Sequence, residues 1–165
     1  MTDVPSPPNN AGAVLSAALR LIRIRRGLSV LQVAEAMNMA PRTYQRFEAG
    51  ETRLNFDHIQ RFARATRSDV HAILMAVAIR SPELAWRAAD NQLGSVFAVT
   101  LERFNSAYGD RILDLDVRTV VAAITEMFDK LGMAADATTE ARKWLQDAPE
   151  KSEAPASPRK PSTPR

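Results

Sequence analysis

The sequence predicts an all-α protein. Apolar residues recur at helical spacing almost throughout, no alternating strand pattern appears, and glycines and capping residues fall where short helices would start and stop. Val14, Leu15, Ala18, Leu21, Ile22 and Ile24 mark a first helix that ends at Gly27. Ser29 caps a second, with Leu31, Val33, Ala34 and Met37 as its apolar positions. Asn38-Met39-Ala40 is a tight connection, and Pro41 suits a first helical turn, where no N–H is needed. Tyr44 and Phe47 share the buried side of this third helix, which Gly50 closes. Asn55 caps a fourth helix with Phe56, Ile59, Phe62 and Ala63 inward. Ser68 or Asp69 caps a fifth through Val70, Ile73, Leu74 and Val77.

Beyond residue 80 the pattern stays helical. Ser81-Pro82-Glu83 is a helix start with Ser as cap, followed by Leu84, Trp86 and Ala89. Phe97, Leu101, Phe104 and Tyr108 form a second run. After Gly109, Asp116 is placed to cap a helix whose stripe is Val117, Val120, Val121, Ile124, Phe128 and Leu131, closed by Gly132. Thr138 or Thr139 then caps a short helix bearing Trp144 and Leu145.

Prolines and charge divide the 165 residues further. Three of ten prolines lie in the first eight residues and five lie between Pro149 and Pro164. Neither end carries enough apolar surface to offset its ordering entropy, so residues 1–11 and 148–165 are expected to be disordered, the latter as a Pro-rich basic tail. Ten arginines face four acids between Arg20 and Arg67, a balance of +6, whereas residues 81–150 carry seven cations and twelve acids, a balance of −5. A basic module at 12–80 and an acidic helical module at 81–147 are the expected domains. Arginine forks onto phosphate and guanine where lysine does not, so the basic half points to nucleic acid.

Several chemistries are excluded. There is no cysteine, hence no disulfide, thiol catalysis or cysteine-held metal. Only two histidines occur: His58 is expected on a polar face, and His71 near a helix start beside Asp69. Asp110, Asp114 and Asp116 lack the spacing of a calcium loop. No cofactor, metal or enzymatic activity is expected. MTDVPSPPNN lacks the basic and apolar regions of a secretory signal, and no apolar run approaches a membrane span, so a cytoplasmic protein, nucleoid-associated when bound, is expected.

Residues 14–78 carry a more specific pattern. Gly27-Leu28-Ser29 opens helix two, Ala34 takes the small position between helices two and three, and Met37 and Met39 flank the turn. Thr43, Tyr44, Arg46, Phe47, Glu48 and Gly50 follow in one run, then Asn55, Phe56, Ile59, Phe62 and Ala63. This segment resembles the Cro/CI-type (Xre) helix-turn-helix family of bacterial and phage transcription regulators. The resemblance implies a five-helix lambda-repressor-like domain whose recognition helix, residues 41–49, enters the major groove of duplex DNA. Three positions depart from the family: Val30 replaces a phosphate-gripping Gln, Asn38 a turn Gly, and Ala40 a Ser or Thr cap. Asn tolerates the left-handed turn, and loss of the cap costs ~1 kcal/mol that Pro41 partly offsets.

With Tyr44 and Phe47 inward, Arg42, Thr43, Gln45 and Arg46 are expected to face bases, and the resemblance adds Ser29, Asn38 and Arg53 as backbone contacts. Glu48 is expected inside, paired with Arg25 or Arg26. Regulators of this type usually bind two half-sites as homodimers. The stripes Phe97, Leu101, Phe104 and Val117, Val121, Ile124, Phe128 are the expected dimerisation seam. The competing reading is a protein-interaction module, such as an antitoxin, that holds a partner through residues 81–147 with DNA binding secondary. Deleting 148–165 is expected to leave the melting temperature within a few degrees of the full chain, a shift that calorimetry would detect.

Overall fold

Glycine, asparagine and capping side chains set the boundaries of the helices in the computed structural model, which describes residues 11–147. Both ends expected to be disordered lie outside the described residues, except Ala11, which opens the first helix. The helices are α1 (Ala11–Arg25), α2 (Val30–Ala36), α3 (Pro41–Glu48), α4 (Phe56–Thr66), α5 (Val70–Ala78), α6 (Pro82–Arg87), α7 (Leu93–Tyr108) and α8 (Val117–Asp147), with a 3-10 helix at Gly109–Asp114. No strand occurs among the described residues.

Local chemistry explains most of the boundaries. Gly27 takes φ +65° after α1, and the Leu28 N–H reaches back to Arg23 O. Ser29 forms a capping box with Gln32: its hydroxyl accepts from Gln32 N while Gln32 Oε1 accepts from Ser29 N. Asn38 adopts φ +50°, the left-handed turn expected of it. Asn55 accepts from Asp57 N and His58 N at the start of α4. Ser81 occupies the cap position of α6 but does not bond its backbone; the hydroxyl donates to Glu83 instead.

Two compact units follow, one reaching Gly109 and one from Asp110. The first is built on a single core in which Leu19, Ile22, Val33, Tyr44, Phe47, Ile59, Phe62 and Ile73 are fully buried. Tyr44 stacks on Phe62, with ring centroids 6.5 Å apart and planes 6° from parallel. Ala85 of α6 belongs to this core, so the packed unit continues past the boundary expected at residue 80. Phe56, expected inward, is instead exposed as the first residue of α4, and two apolar positions are exposed as well: Ile24 lies two positions beyond Ile22 and so turns away from the core, and Leu31 sits in the first turn of α2.

Asp69 settles where α7 begins. Its carboxylate caps α5 by accepting from His71 N (2.9 Å) and Ala72 N (3.3 Å). It also accepts from Ser95 N (2.9 Å) and Ser95 Oγ (2.7 Å) of α7. A Cβ on Gly94 would overlap backbone atoms of His71 and Ala72, so only glycine permits this approach of α7 to α5.

The second unit differs from expectation more. The helix opened by Asp116, which accepts from Arg118 N and the Thr119 hydroxyl, runs unbroken for 31 residues. Gly132 does not end it, because one glycine costs an exposed helix only ~1 kcal/mol. Thr138 and Thr139 cap nothing; their hydroxyls donate back to Ala134 O and Ala135 O within the same helix. The side chains of Trp144 and Leu145 lie outside the described residues.

Burial pushes the pKa of Asp69 up, but the hydrogen bonds from Ser95, Ala72 and His71 together hold it below the ordinary carboxylate value. A depressed folded-state pKa contributes stability that is present above about pH 4, the unfolded value, and is lost as pH falls through the folded one. Asp69→Asn should therefore be less stable at neutral pH by about 1–3 kcal/mol and should show a shallower loss of stability on acidification. Urea denaturation at a series of pH values measures both.

Candidate nucleic-acid interface

The α2–turn–α3 segment is held from inside. Ala34 and Met37 are buried where α2 meets α3, and the Met39 N–H donates to Ala34 O at 2.9 Å. Ala40 supplies no side-chain cap, yet its carbonyl accepts from Thr43 N and Tyr44 N, and Pro41 fills the first helical position. One side of α3 buries Tyr44, Phe47 and Glu48; Arg42, Thr43, Gln45 and Arg46 are all exposed on the other.

Glu48 ties this helix to α1. Only 5% of it is exposed, and its carboxylate accepts from Arg23 Nε (2.6 Å), Arg23 Nη2 (3.0 Å) and Tyr44 Oη (2.7 Å). The paired fork is the strong form of an ion pair. The hydrogen bond to Glu48 is the main cause raising the Arg23 pKa. Burial, then the bond to Glu48, pushes the Tyr44 phenol far above its ordinary value and keeps it a donor. Glu48 is thus internal as expected, but its partner is Arg23 rather than Arg25 or Arg26. Those two, at the end of α1, turn toward α6: their guanidiniums lie 5.9 Å and 5.4 Å from the Trp86 ring centre, and Arg26 also donates to Arg67 O and Asp90.

Beside this anchor lies an open groove between α1 and α3. Its walls bring together Arg20, Arg42, Gln45 and Arg46, with Val30 at the edge where the resemblance expected Gln. Arg46 is 3.5 Å from Glu51, and both are exposed, so the pair is weak and does not sequester the guanidinium. Thr43, Ser29, Asn38 and Arg53 are exposed but do not line the groove. Ser29 serves the capping box, and Arg53 stands in the loop between α3 and α4.

Sequence reasoning did not single out Arg20. It lies one helical turn before Arg23, on the same face of α1, and that spacing identifies it once Arg23 is known to reach α3. His58 is not on a polar face: its ring meets Phe47 edge-on at 5.4 Å, and its Nδ1 has no partner among the described residues. His71 Nδ1 is 3.0 Å from Ser95 Oγ, beside the Asp69 cap. No cluster of three or more potential metal ligands occurs among the described residues.

Residues 19–71 match the helix-turn-helix family. This segment is a DNA-binding helix-turn-helix of the Cro/CI (Xre) type. The match covers α2, α3 and α4 with parts of α1 and α5, so the groove between α1 and α3 belongs to the helix-turn-helix itself. No curated protein and no solved structure matches the chain. No helix among the described residues is long and apolar enough to cross a membrane.

The assignment of Arg23 as anchor has a direct check. In a double-mutant cycle, Arg23→Ala and Glu48→Ala should couple by about 0.5–3 kcal/mol, whereas Arg25→Ala and Glu48→Ala should be additive. Chemical denaturation of the single and double variants gives both couplings.

Proposed function

We propose that the chain is a sequence-specific, double-stranded-DNA-binding transcription regulator that places α3 in the major groove and acts as a homodimer. The observation that carries this reading is the division of α3. Tyr44, Phe47 and Glu48 fix the helix to the core, while Arg42, Thr43, Gln45 and Arg46 face outward beside Arg20. Arg42 and Arg46 suit the O6 and N7 atoms of guanine, Gln45 suits N6 and N7 of adenine, and Thr43 suits either a base edge or a thymine methyl. Ser29, Asn38 and Arg53, with Arg20, are assigned to phosphates, where they set register rather than sequence preference. The working location is the cytoplasm, on the nucleoid.

The second reading, a partner-binding module, is favoured by the exposed apolar residues beyond the helix-turn-helix. Leu101, Val117, Val121, Ile124 and Phe128 are all exposed, and Phe97 and Phe104 are half-buried. We assign these residues to self-assembly, because one helix-turn-helix reads only a short site and two heads multiply the discrimination.

Fluorescence anisotropy on a duplex selected from random sequences, compared with an unrelated duplex, tests the DNA reading. Arg42→Ala or Arg46→Ala should cost ~1–3 kcal/mol on the selected duplex and relax preference at one position. Arg53→Ala and Arg20→Ala should weaken both duplexes alike and reduce the salt slope by about one. Equal losses on both duplexes for all four variants would overturn the assignment. A stable heterocomplex with no retardation of DNA would favour the partner-binding module.

A further inference from the structure

The unbroken length of α8 gives the apolar stripe an extent that a helix ending at Gly132 would not have. Its first half carries Val117, Val120, Ile124, Met127 and Leu131, alternating three and four residues apart, and each is exposed. The same alternation continues through Ala134, Thr138 and Ala141, also exposed. The pattern is a heptad seam sustained over more than three repeats, with no charged residue at any seam position. The one hydroxyl in the seam, Thr138 Oγ1, already donates to Ala134 O at 2.8 Å, so its burial would leave no donor unpaired.

The seam is bulky in its first half and small in its second, and this asymmetry selects both the partner and the direction. We propose that α8 pairs antiparallel with α8 of a second copy, the two-fold axis crossing between Gly132 and Met133. This pairing sets Leu131 on Ala134, Met127 on Thr138 and Ile124 on Ala141, large against small in each of these three layers and each repeated by symmetry. Phe128, exposed beside the seam, then meets Ala135. A parallel pair would set small on small in the second half and leave voids between them, where packing contacts are forfeited.

The area is sufficient for a stable pair. The five large residues of the stripe, and Phe128 beside it, are 36–73% exposed. At about half exposure they and the small residues offer on the order of 500 Å² per helix, so a pair buries on the order of 1,000 Å² in total, the size that a specific interface clears. The proposal rests on the homodimer reading above and assigns its seam and geometry.

The chain has no cysteine, so single-cysteine variants of the full-length protein report proximity cleanly. Under mild oxidation a mixture of Ile124→Cys and Ala141→Cys should give a disulfide-linked heterodimer. Ile124→Cys alone should not cross-link, its two copies being about 25 Å apart along the helices. In sedimentation, Leu131→Asp should shift the full chain from dimer to monomer mass while its helix content and the melting of the helix-turn-helix are retained. Met133→Asp, off the seam, should remain dimeric. Cross-linking of Ile124→Cys to itself would overturn the antiparallel geometry. A dimer insensitive to Leu131→Asp would overturn α8 as the seam but leave the homodimer standing. A wild-type monomer at micromolar concentration would overturn both.

Discussion

The carboxylate of Glu48 is the constraint on which the outward face of α3 depends. It lies on the buried side of α3, takes the Arg23 fork from α1 and the Tyr44 hydroxyl from its own helix, and leaves no freedom for α3 to roll. A helix of eight residues is too short to be stable alone, so its orientation comes from what it packs on. Tyr44 stacks on Phe62 and tilts against Phe47, and Phe47 meets His58, extending the anchor into α4. The outward display of Arg42, Gln45 and Arg46 is therefore a consequence of the polar lock on the opposite side. Removing one partner would leave the other charge or donor largely desolvated, which costs more than the pair contributes when intact.

The same chemistry recurs where the first unit is extended. Asp69 caps α5 through Oδ1 and binds the first turn of α7 through both oxygens, and Gly94 lets the backbones meet. Capping alone is worth ~1 kcal/mol. A cap that also receives two donors from another helix becomes a tertiary contact, and here it fixes where α7 leaves the core.

Legibility in the sequence followed the range of the interaction. Local signals were readable: the Ser29, Asn55 and Asp116 caps, the Asn38 turn and the Tyr44/Phe47 face each depend on neighbours within four residues, and of Ser68 and Asp69 it is Asp69 that caps α5. The partner of Glu48 was not, because Arg23, Arg25 and Arg26 are all within reach along the chain and only the packing of α6 against α1 draws Arg25 and Arg26 to Trp86. Arg20 was missed for the same reason. Phe56 reads as inward by its spacing and Ile24 and Leu31 fit the apolar pattern, yet all three are exposed. The unity of α8 was hidden by Gly132 and by two threonines whose capping and back-bonding modes look alike in sequence. The apolar residues Val117, Ile124 and Leu131 thus lie on one unbroken helix rather than on a helix that ends at Gly132.

Charge completes the division of labour. The helix-turn-helix side is arginine-rich, and residues 81–150 carry a balance of −5, which favours docking of the former on phosphate and disfavours the latter. The central claim is that α3 reads base edges in the major groove. Methylation interference on a duplex selected by the full-length protein tests it most directly, because N7 of guanine is exposed only in that groove. Methylation at one or a few discrete guanines in the site should abolish binding. Binding insensitive to every N7 methyl group, with interference only from adenine N3 methylation in the minor groove, would contradict it.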